Sequence, residues 1–147
     1  MASEQTHHRV LLASYLGSPN HHGIYVESET ATTTNERWGR LFHVIGSLQS
    51  GMAFEVKRAI YPLESPSGES VRHVGWVAHD NFIQRIEGVC ANIPPPNKQF
   101  DFMRRLFPNE PLRHCQHWVA EVVRALIDSG VLEPLGPLDN GETVFRS

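Results

Sequence analysis

The chain has 147 residues, of which 40% are hydrophobic and 20% are charged, and its formal net charge is -3 at pH 7. This length is sufficient for one domain with a single hydrophobic core, and the composition is that of an ordinary globular protein. A net negative charge without a cluster of Lys or Arg argues against nucleic acid or an anionic membrane as the partner. We therefore predict a single domain over residues 1–147, with residues 1–8 as a flexible tail.

Two cysteines, Cys90 and Cys115, are too few for the disulfide framework of a small secreted protein. Residues 1–6 are polar and do not resemble a signal peptide, and no apolar run approaches the roughly 20 residues of a membrane span. These features predict a cytoplasmic protein with free thiols and without stable membrane insertion. The sequence does not indicate an oligomeric state.

The first half of the chain predicts five β-strands. Short runs of apolar, β-branched and aromatic residues alternate with segments rich in Gly, Pro and Ser, as expected for strands joined by turns. The predicted strands span residues 9–16, 22–26, 40–48, 52–61 and 71–78. The polar residues 27–36 and 62–70 are predicted to form loops.

Two of these strands carry a histidine among apolar residues. Because side chains alternate between the two faces of a strand, His22 shares its face with Ile24 and Val26. By the same rule, His43 shares its face with Leu41. If the two strands are adjacent in the sheet, His22 and His43 can be cross-strand neighbours on its core side.

The second half of the chain has helical periodicity. Apolar residues at one-face spacing predict a helix over residues 80–88, a short helix over 100–107 and a last helix over 115–129. One further strand is predicted at 143–145. The chain is therefore predicted to be α+β, with an antiparallel sheet of about five strands packed against C-terminal helices.

Cys115 is the first residue of the last predicted helix, and this position suggests a nucleophile. The positive end of the helix dipole favours the thiolate, which is the reactive form of a cysteine. A thiol nucleophile also needs a base and a polar group that orients the base. Packing this helix on the sheet would bring Cys115 to His22 and His43, which are the candidates for those two positions.

Further candidate contacts lie at the helix start and on the second strand. Backbone N–H groups around Cys115 and Gln116 would supply an oxyanion hole, with Tyr25 or the Gln116 side chain as a further donor. Trp118 is a third candidate for substrate binding. Taken singly, a buried cysteine, a strand histidine and an aromatic residue are each more often structural.

A metal site is not predicted. His114, Cys115 and His117 are ligand-type residues, but their spacing on a helix does not direct all three toward one ion. We therefore expect neither a metal ion nor another cofactor.

Three short motifs resemble a known group of thiol enzymes. His-Cys-Gln-His-Trp-Val at residues 114–119 resembles the Asn-Cys-Glu-His-Phe-Val motif of the lecithin:retinol acyltransferase-like proteins. Those proteins belong to the circularly permuted NlpC-type branch of papain-like thiol enzymes, in which the histidines precede the cysteine. His-Gly-Ile-Tyr-Val at residues 22–26 looks like the family's His-Trp-Ala-Ile-Tyr-Val strand, and His43 falls where the family places its second histidine.

The pattern also resembles small fungal proteins in which a Cys-Gln-x-Trp-Val helix closes the domain. The resemblance implies a circularly permuted papain-like fold, with Cys115 as nucleophile, His22 as general base and His43 as orienting group. Position 114 is His where the acyltransferases have Asn, position 23 is Gly where they have Trp, and the residues after the last predicted helix do not resemble their membrane-anchoring C-terminal segment. These departures favour a hydrolase that cleaves an amide, ester or thioester of a small molecule or peptide.

Two alternatives remain open at this point. An acyltransferase would use the same Cys–His pair and pass the acyl group to an amine or alcohol instead of water. A non-covalent binding protein or a cyclase would not use Cys115 as a nucleophile, and Trp38, Trp76 and Trp118 could then line its pocket.

Overall fold

A computed structural model describes residues 6–17, 20–30, 37–135 and 141–146, and it shows an α+β fold. The long strands are β1 (His7–Tyr15), β2 (His21–Thr30), β3 (Arg37–Ser47), β4 (Gly51–Ile60) and β5 (Gly68–Ala78). The helices are α1 (Phe82–Cys90) and α2 (Cys115–Asp128), with a short 3-10 turn at Pro62–Glu64. The short strands are β6 (Phe100–Asp101), β7 (Arg104–Arg105), β8 (Leu132–Pro134) and β9 (Thr143–Phe145).

Seven strands form the main sheet, in the order β4-β3-β2-β1-β5-β8, and β9 also pairs with β5. Every pairing in this sheet is antiparallel. The prediction of about five strands counted the five long ones and missed β8, which has only three residues. The further strand predicted at 143–145 is confirmed as β9.

The helix that begins at Cys115 is confirmed, and it ends at Asp128 instead of residue 129. The helix predicted over residues 100–107 is wrong, because this segment forms the hairpin β6–β7. At its tip Phe102 has a φ of 55° and is 81% exposed, and Met103 is 96% exposed. A short helix is unstable unless an apolar face packs on the domain. The apolar residues Phe102 and Met103 are exposed, so they do not provide such a face.

The sheet buries a different set of residues on each face. Both helices cover one face, where the buried side chains include Val10, Ile24, Val26, Phe42 and Val44. The other face carries a smaller cluster, formed by Leu11, Ala13, Tyr25, Leu41 and Val71. Each fully buried aliphatic or aromatic side chain contributes roughly 1.5–3 kcal/mol to stability, so the helix-covered face holds most of the core.

Two residues of the predicted tail, His7 and His8, belong to β1, and residues 1–5 lie outside the described residues. His8 is only 2% exposed. Its Nδ1 donates to the carbonyl oxygen of Glu27 at 3.0 Å, and its Nε2 lies 2.8 Å from Nδ1 of His79. The ring of Phe82 packs 4.4 Å from the His8 ring, measured between centroids. His8 is therefore part of the structure of the sheet and not of a solvated terminus.

In the part of the chain that the structure describes, neither helix has the length and apolar character needed to cross a bilayer.

Candidate active site

The first turn of α2 meets the first residues of β2. Cys115 is 5% exposed, and its Sγ lies 3.9 Å from the carbonyl oxygen of Asn20. The side-chain amide of Gln116 donates to the same oxygen at 2.9 Å. These two contacts place the thiol beside the residue that immediately precedes His21.

Asn20, the residue before β2, is itself held from both sides. Its Nδ2 donates to the Glu69 carboxylate at 2.6 Å and approaches the Ser14 hydroxyl at 3.4 Å. Its Oδ1 accepts from the backbone N–H of Gly17 at 3.1 Å. Asn20 therefore fixes the start of β2, and through its carbonyl it fixes α2.

Three side chains form a continuous hydrogen-bonded series next to this point. His21 Nε2 lies 2.9 Å from His43 Nδ1, and His43 Nε2 lies 2.6 Å from the Glu55 carboxylate. Because an ionised carboxylate only accepts hydrogen bonds, His43 must donate from Nε2 and accept at Nδ1. His21 then donates from Nε2, which leaves its Nδ1 with a lone pair that can take a proton.

The structure pairs His43 with His21 and not with His22. In the β2–β3 ladder Ile24 is opposite Phe42 and Tyr25 is opposite Leu41, so odd-numbered residues of the two strands share one face. His22 lies on the face of Ile24, as the alternation predicts, but His43 lies on the opposite face with Leu41. Both strand faces were predicted correctly, whereas the assumption that the two histidines shared a face was wrong.

His22 lies in a different electrostatic environment. It is half-buried, and burial lowers its pKa while the charge of Glu69 raises it. Its charge also contributes to the lowered pKa of His114 at the start of α2. His22 therefore lies near the helix start without joining the His21–His43–Glu55 series.

Gly23 provides the space that this series needs. A Cβ at position 23 would lie 2.8 Å from Leu41 Cδ1 and 3.3 Å from His43 Cβ. Without a side chain between them, the imidazoles of His21 and His43 can meet diagonally across the two strands.

A cavity of about 460 Å³ adjoins both Cys115 and His21. It is lined by His21, Gly46, Ser47, Leu48, Met52, Leu112, His114 and Cys115. The end of β3 and the turn that follows it supply part of this lining, and Gly46 near the end of β3 has a φ of 114°, which favours glycine. A substrate in this cavity would contact Cys115 and His21 together.

Burial keeps the two coupled imidazoles neutral. Desolvation, together with the charges of His43, His22 and Lys57, lowers the pKa of His21 to about 4. Desolvation also lowers the pKa of His43, against the opposing effect of the Glu55 carboxylate. At neutral pH His21 is therefore in the unprotonated form that a general base requires.

Two histidines cap the helix that carries the thiol. His114 Nδ1 accepts from the backbone N–H of Gln116 at 3.3 Å, and His117 Nδ1 accepts from the backbone N–H of His114 at 3.0 Å. The Gln116 N–H, which was a predicted oxyanion donor, is therefore engaged in the cap. Cys115 is the first helical residue, where helix geometry provides no acceptor for the backbone N–H.

Two of the predicted substrate contacts are core residues. Tyr25 is 0% exposed and donates from its hydroxyl to the carbonyl of Ala59 at 3.2 Å. Trp118 is also 0% exposed, and its indole N–H donates to the carbonyl of Ile93 at 3.0 Å. Neither residue lines the cavity beside Cys115. Gln116 is close to the thiol, but its side chain holds Asn20.

Among the described residues, no group of three or more His, Cys, Asp or Glu side chains is arranged to hold a metal ion.

Comparison with known proteins identifies one family. The model of DUF6540, described as a family of unknown function, matches residues 10–133, which include both histidines and the cysteine of the site. No curated protein and no solved structure matches the chain.

Proposed function

We propose that this chain, which belongs to the DUF6540 family, is a cysteine-dependent hydrolase that cleaves an amide, ester or thioester. In this proposal Cys115 is the nucleophile, His21 is the general base and His43 orients His21. The single observation that carries the proposal is the His21–His43–Glu55 series, which begins in the cavity that contains Cys115.

His21 takes the role that the resemblance to the acyltransferase-like proteins gave to His22. The reason is the hydrogen bond to His43, which fixes the His21 tautomer and leaves Nδ1 available as a base. Glu55 completes the arrangement by fixing the tautomer of His43. A circularly permuted papain-like fold is part of the proposal, and it is supported by the order of the residues, with both histidines before the cysteine.

The residues support a two-step reaction. His21 Nδ1 takes the thiol proton as Cys115 Sγ forms a bond to the carbonyl carbon, and the resulting oxyanion accepts a hydrogen bond from the Cys115 N–H. The bond to the leaving group then breaks, and the His21 imidazolium gives its proton to that group. Water, deprotonated by His21, attacks the acyl thioester, and Cys115 leaves as the thiolate and recovers the proton from His21.

This chemistry requires a free thiol. Both cysteines are free in the structure, which supports our placement of the protein in a reducing compartment such as the cytoplasm.

Alkylation of the native protein by iodoacetamide, located by mass spectrometry, tests the proposal. Cys115 should be labelled well before Cys90, which is 1% exposed and whose pKa is raised by burial to about 12. His21→Gln should slow the labelling of Cys115, while the matched substitution His22→Gln should not. Labelling of Cys115 only after unfolding would contradict the proposal.

Hydrolysis of phenyl acetate provides the second measurement. Cys115→Ala should abolish turnover and the acyl-enzyme mass increase of the native protein. Hydroxylamine added as an acceptor distinguishes hydrolysis from transfer, since a transferase would give acetohydroxamate in preference to acetate. Full turnover by Cys115→Ala would instead support the non-covalent alternative.

A further inference from the structure

His21 also lines a second cavity. It has a volume of about 530 Å³. It is lined by Tyr15, Leu16, His21, Trp38, Leu41, His43, Lys57, Arg58, Ala59, Ile60, Ser65 and Ser67. His21 lines both this cavity and the one that Cys115 lines, so the two cavities share the proposed base.

The charged side chains of this second cavity are all cationic. Lys57 and Arg58 line it, and no Asp or Glu is among its described lining residues. The Glu55 carboxylate is outside the lining and accepts the hydrogen bond from His43.

Lys57 acts directly on the site. Its positive charge is among the causes that lower the pKa of both His21 and His43, so its ammonium group is close enough for its field to reach the two imidazoles. The guanidinium of Arg58 stacks 4.2 Å from the centroid of the Trp38 ring, which keeps that cation beside an aromatic wall.

Neutral donors complete the lining. The hydroxyls of Ser65 and Ser67 are 3.4 Å apart and lie in the segment that precedes β5. A lysine ammonium group with hydroxyl groups beside an open volume is the chemistry that binds carboxylate and phosphate oxygens.

We propose that this cavity binds an anionic group on the leaving group of the substrate. The substrate would be an acyl compound whose departing amine, alcohol or thiol carries a carboxylate or a phosphate. This inference rests on the proposed function, because it assumes that His21 protonates the leaving group. That step puts the leaving group beside His21, and His21 also lines the cationic cavity.

Three esters with the same acetyl group test the inference. Phenyl acetate has an uncharged leaving group, meta-acetoxybenzoate adds a carboxylate, and meta-acetoxyphenyl phosphate adds a phosphate. We expect kcat/KM to be about tenfold to a hundredfold higher for at least one anionic ester, in line with hydrogen bonds to charged groups. The advantage should shrink as salt is added, because Lys57 is exposed.

The chain offers a matched control, because it has only two lysines, Lys57 and Lys98. Lys57→Met should remove most of the preference for the anionic ester, and Lys57→Arg should restore it. Lys98→Met should leave the preference unchanged, since Lys98 is outside the cavity and lies 3.9 Å from Asp101. Equal kcat/KM for all three esters, unaffected by Lys57→Met, would overturn the inference while leaving the proposed function intact.

Binding to the Cys115→Ala protein separates the two proposals. Benzoate and phenyl phosphate are each titrated into the Cys115→Ala protein in a calorimeter. The anion that binds should lose its affinity when Lys57→Met is added to Cys115→Ala. If no ester is hydrolysed but this binding is found, the proposed function fails and the anion site stands. If neither anion binds, the inference fails whatever the esterase result.

Discussion

Among the described residues, two pairs of histidines are hydrogen-bonded ring to ring, at nearly the same distance but in different surroundings. The ring nitrogens are 2.8 Å apart in the pair His8–His79 and 2.9 Å apart in the pair His21–His43. In the first pair, His8 bonds to the backbone carbonyl of Glu27 at 3.0 Å. In the second pair, His43 bonds to a carboxylate, that of Glu55, at 2.6 Å.

The difference shows what makes a histidine pair a candidate catalytic device. The pair His8–His79 packs on the ring of Phe82, and its hydrogen bonds join β1 to the segment after β5 and to β2. The pair His21–His43 ends in a cavity that also contains a thiol, and a carboxylate stabilises any positive charge that the pair acquires. Burial and hydrogen bonding alone therefore do not distinguish function from structure.

The largest expected effect on kcat/KM comes from replacing His21, and the matched replacement in the other pair is that of His79. His21→Gln should lower kcat/KM for phenyl acetate by about 10²- to 10⁴-fold, the range for loss of a general base. His79→Gln should leave kcat/KM near the wild-type value, because His79 is in the other pair. Steady-state kinetics on the two variants make the comparison. Equal losses in both would show that the substitutions act through folding and not through catalysis.

The carboxylate is the next feature to test. Glu55→Gln should lower kcat/KM by about tenfold to a hundredfold, which is the usual cost of removing a group that orients another functional side chain through a hydrogen bond. The amide nitrogen would present a donor to His43 and disturb the tautomers of both imidazoles. Glu133→Gln is the control, since Glu133 lies 3.5 Å from a different, exposed histidine, His7. An unchanged rate in Glu55→Gln would remove Glu55 from the mechanism.

The pair His8–His79 should matter for stability. His8→Ala should lower the free energy of unfolding by about 1–3 kcal/mol, because a buried acceptor loses its hydrogen-bond partner. His7→Ala should have little effect, since the side chain of His7 is 42% exposed. Urea denaturation measures the free energy of unfolding of the two variants. The kcat/KM of folded His8→Ala should stay close to that of the wild type. If His7→Ala proved as destabilising as His8→Ala, burial would not be the cause.

The stability of the protein should also depend on pH. Burial lowers the pKa of His8, His21 and His43 in the folded protein, that of His21 to about 4. Below about pH 6.5, their ordinary pKa, the unfolded chain binds protons that the folded protein does not. The free energy of unfolding should therefore fall as the pH is lowered from about 6.5 toward the pKa of His21.

Urea denaturation across this range measures the slope for each pair. His21→Gln should flatten it more than His8→Gln, because the pKa of His21 is the one lowered to about 4. A slope that neither substitution changes would show that other groups cause it.

Most of the fold could be predicted from local sequence, because alternation and helical periodicity are properties of neighbouring residues. Cys115 was placed correctly at a helix start for this reason. The pairing of His43 with His21 depends instead on the register between β2 and β3, which no pattern within either strand encodes. A shift of one residue moves a side chain to the other face of the sheet.

Glu55 could have been found with one more step. The break at residues 49–51 marks a tight turn between β3 and β4, and a turn fixes the register of the hairpin that it closes. Ser47 is opposite Gly51, so counting four residues back along β3 and four residues forward along β4 puts Glu55 opposite His43. Asn20 is different, since its role depends on contacts with Glu69 and with α2 that are distant in sequence.

The cap of α2 has an electrostatic consequence. Most helices begin with a Ser, Thr, Asp or Asn cap, and many add an acidic residue in the first turn. Here the N–H groups are satisfied by the ring nitrogens of His114 and His117, and the first turn contains no acidic residue. The cap therefore adds no negative charge beside the sulfur of Cys115. It stabilises the N-terminus of α2 without repelling a thiolate at this position.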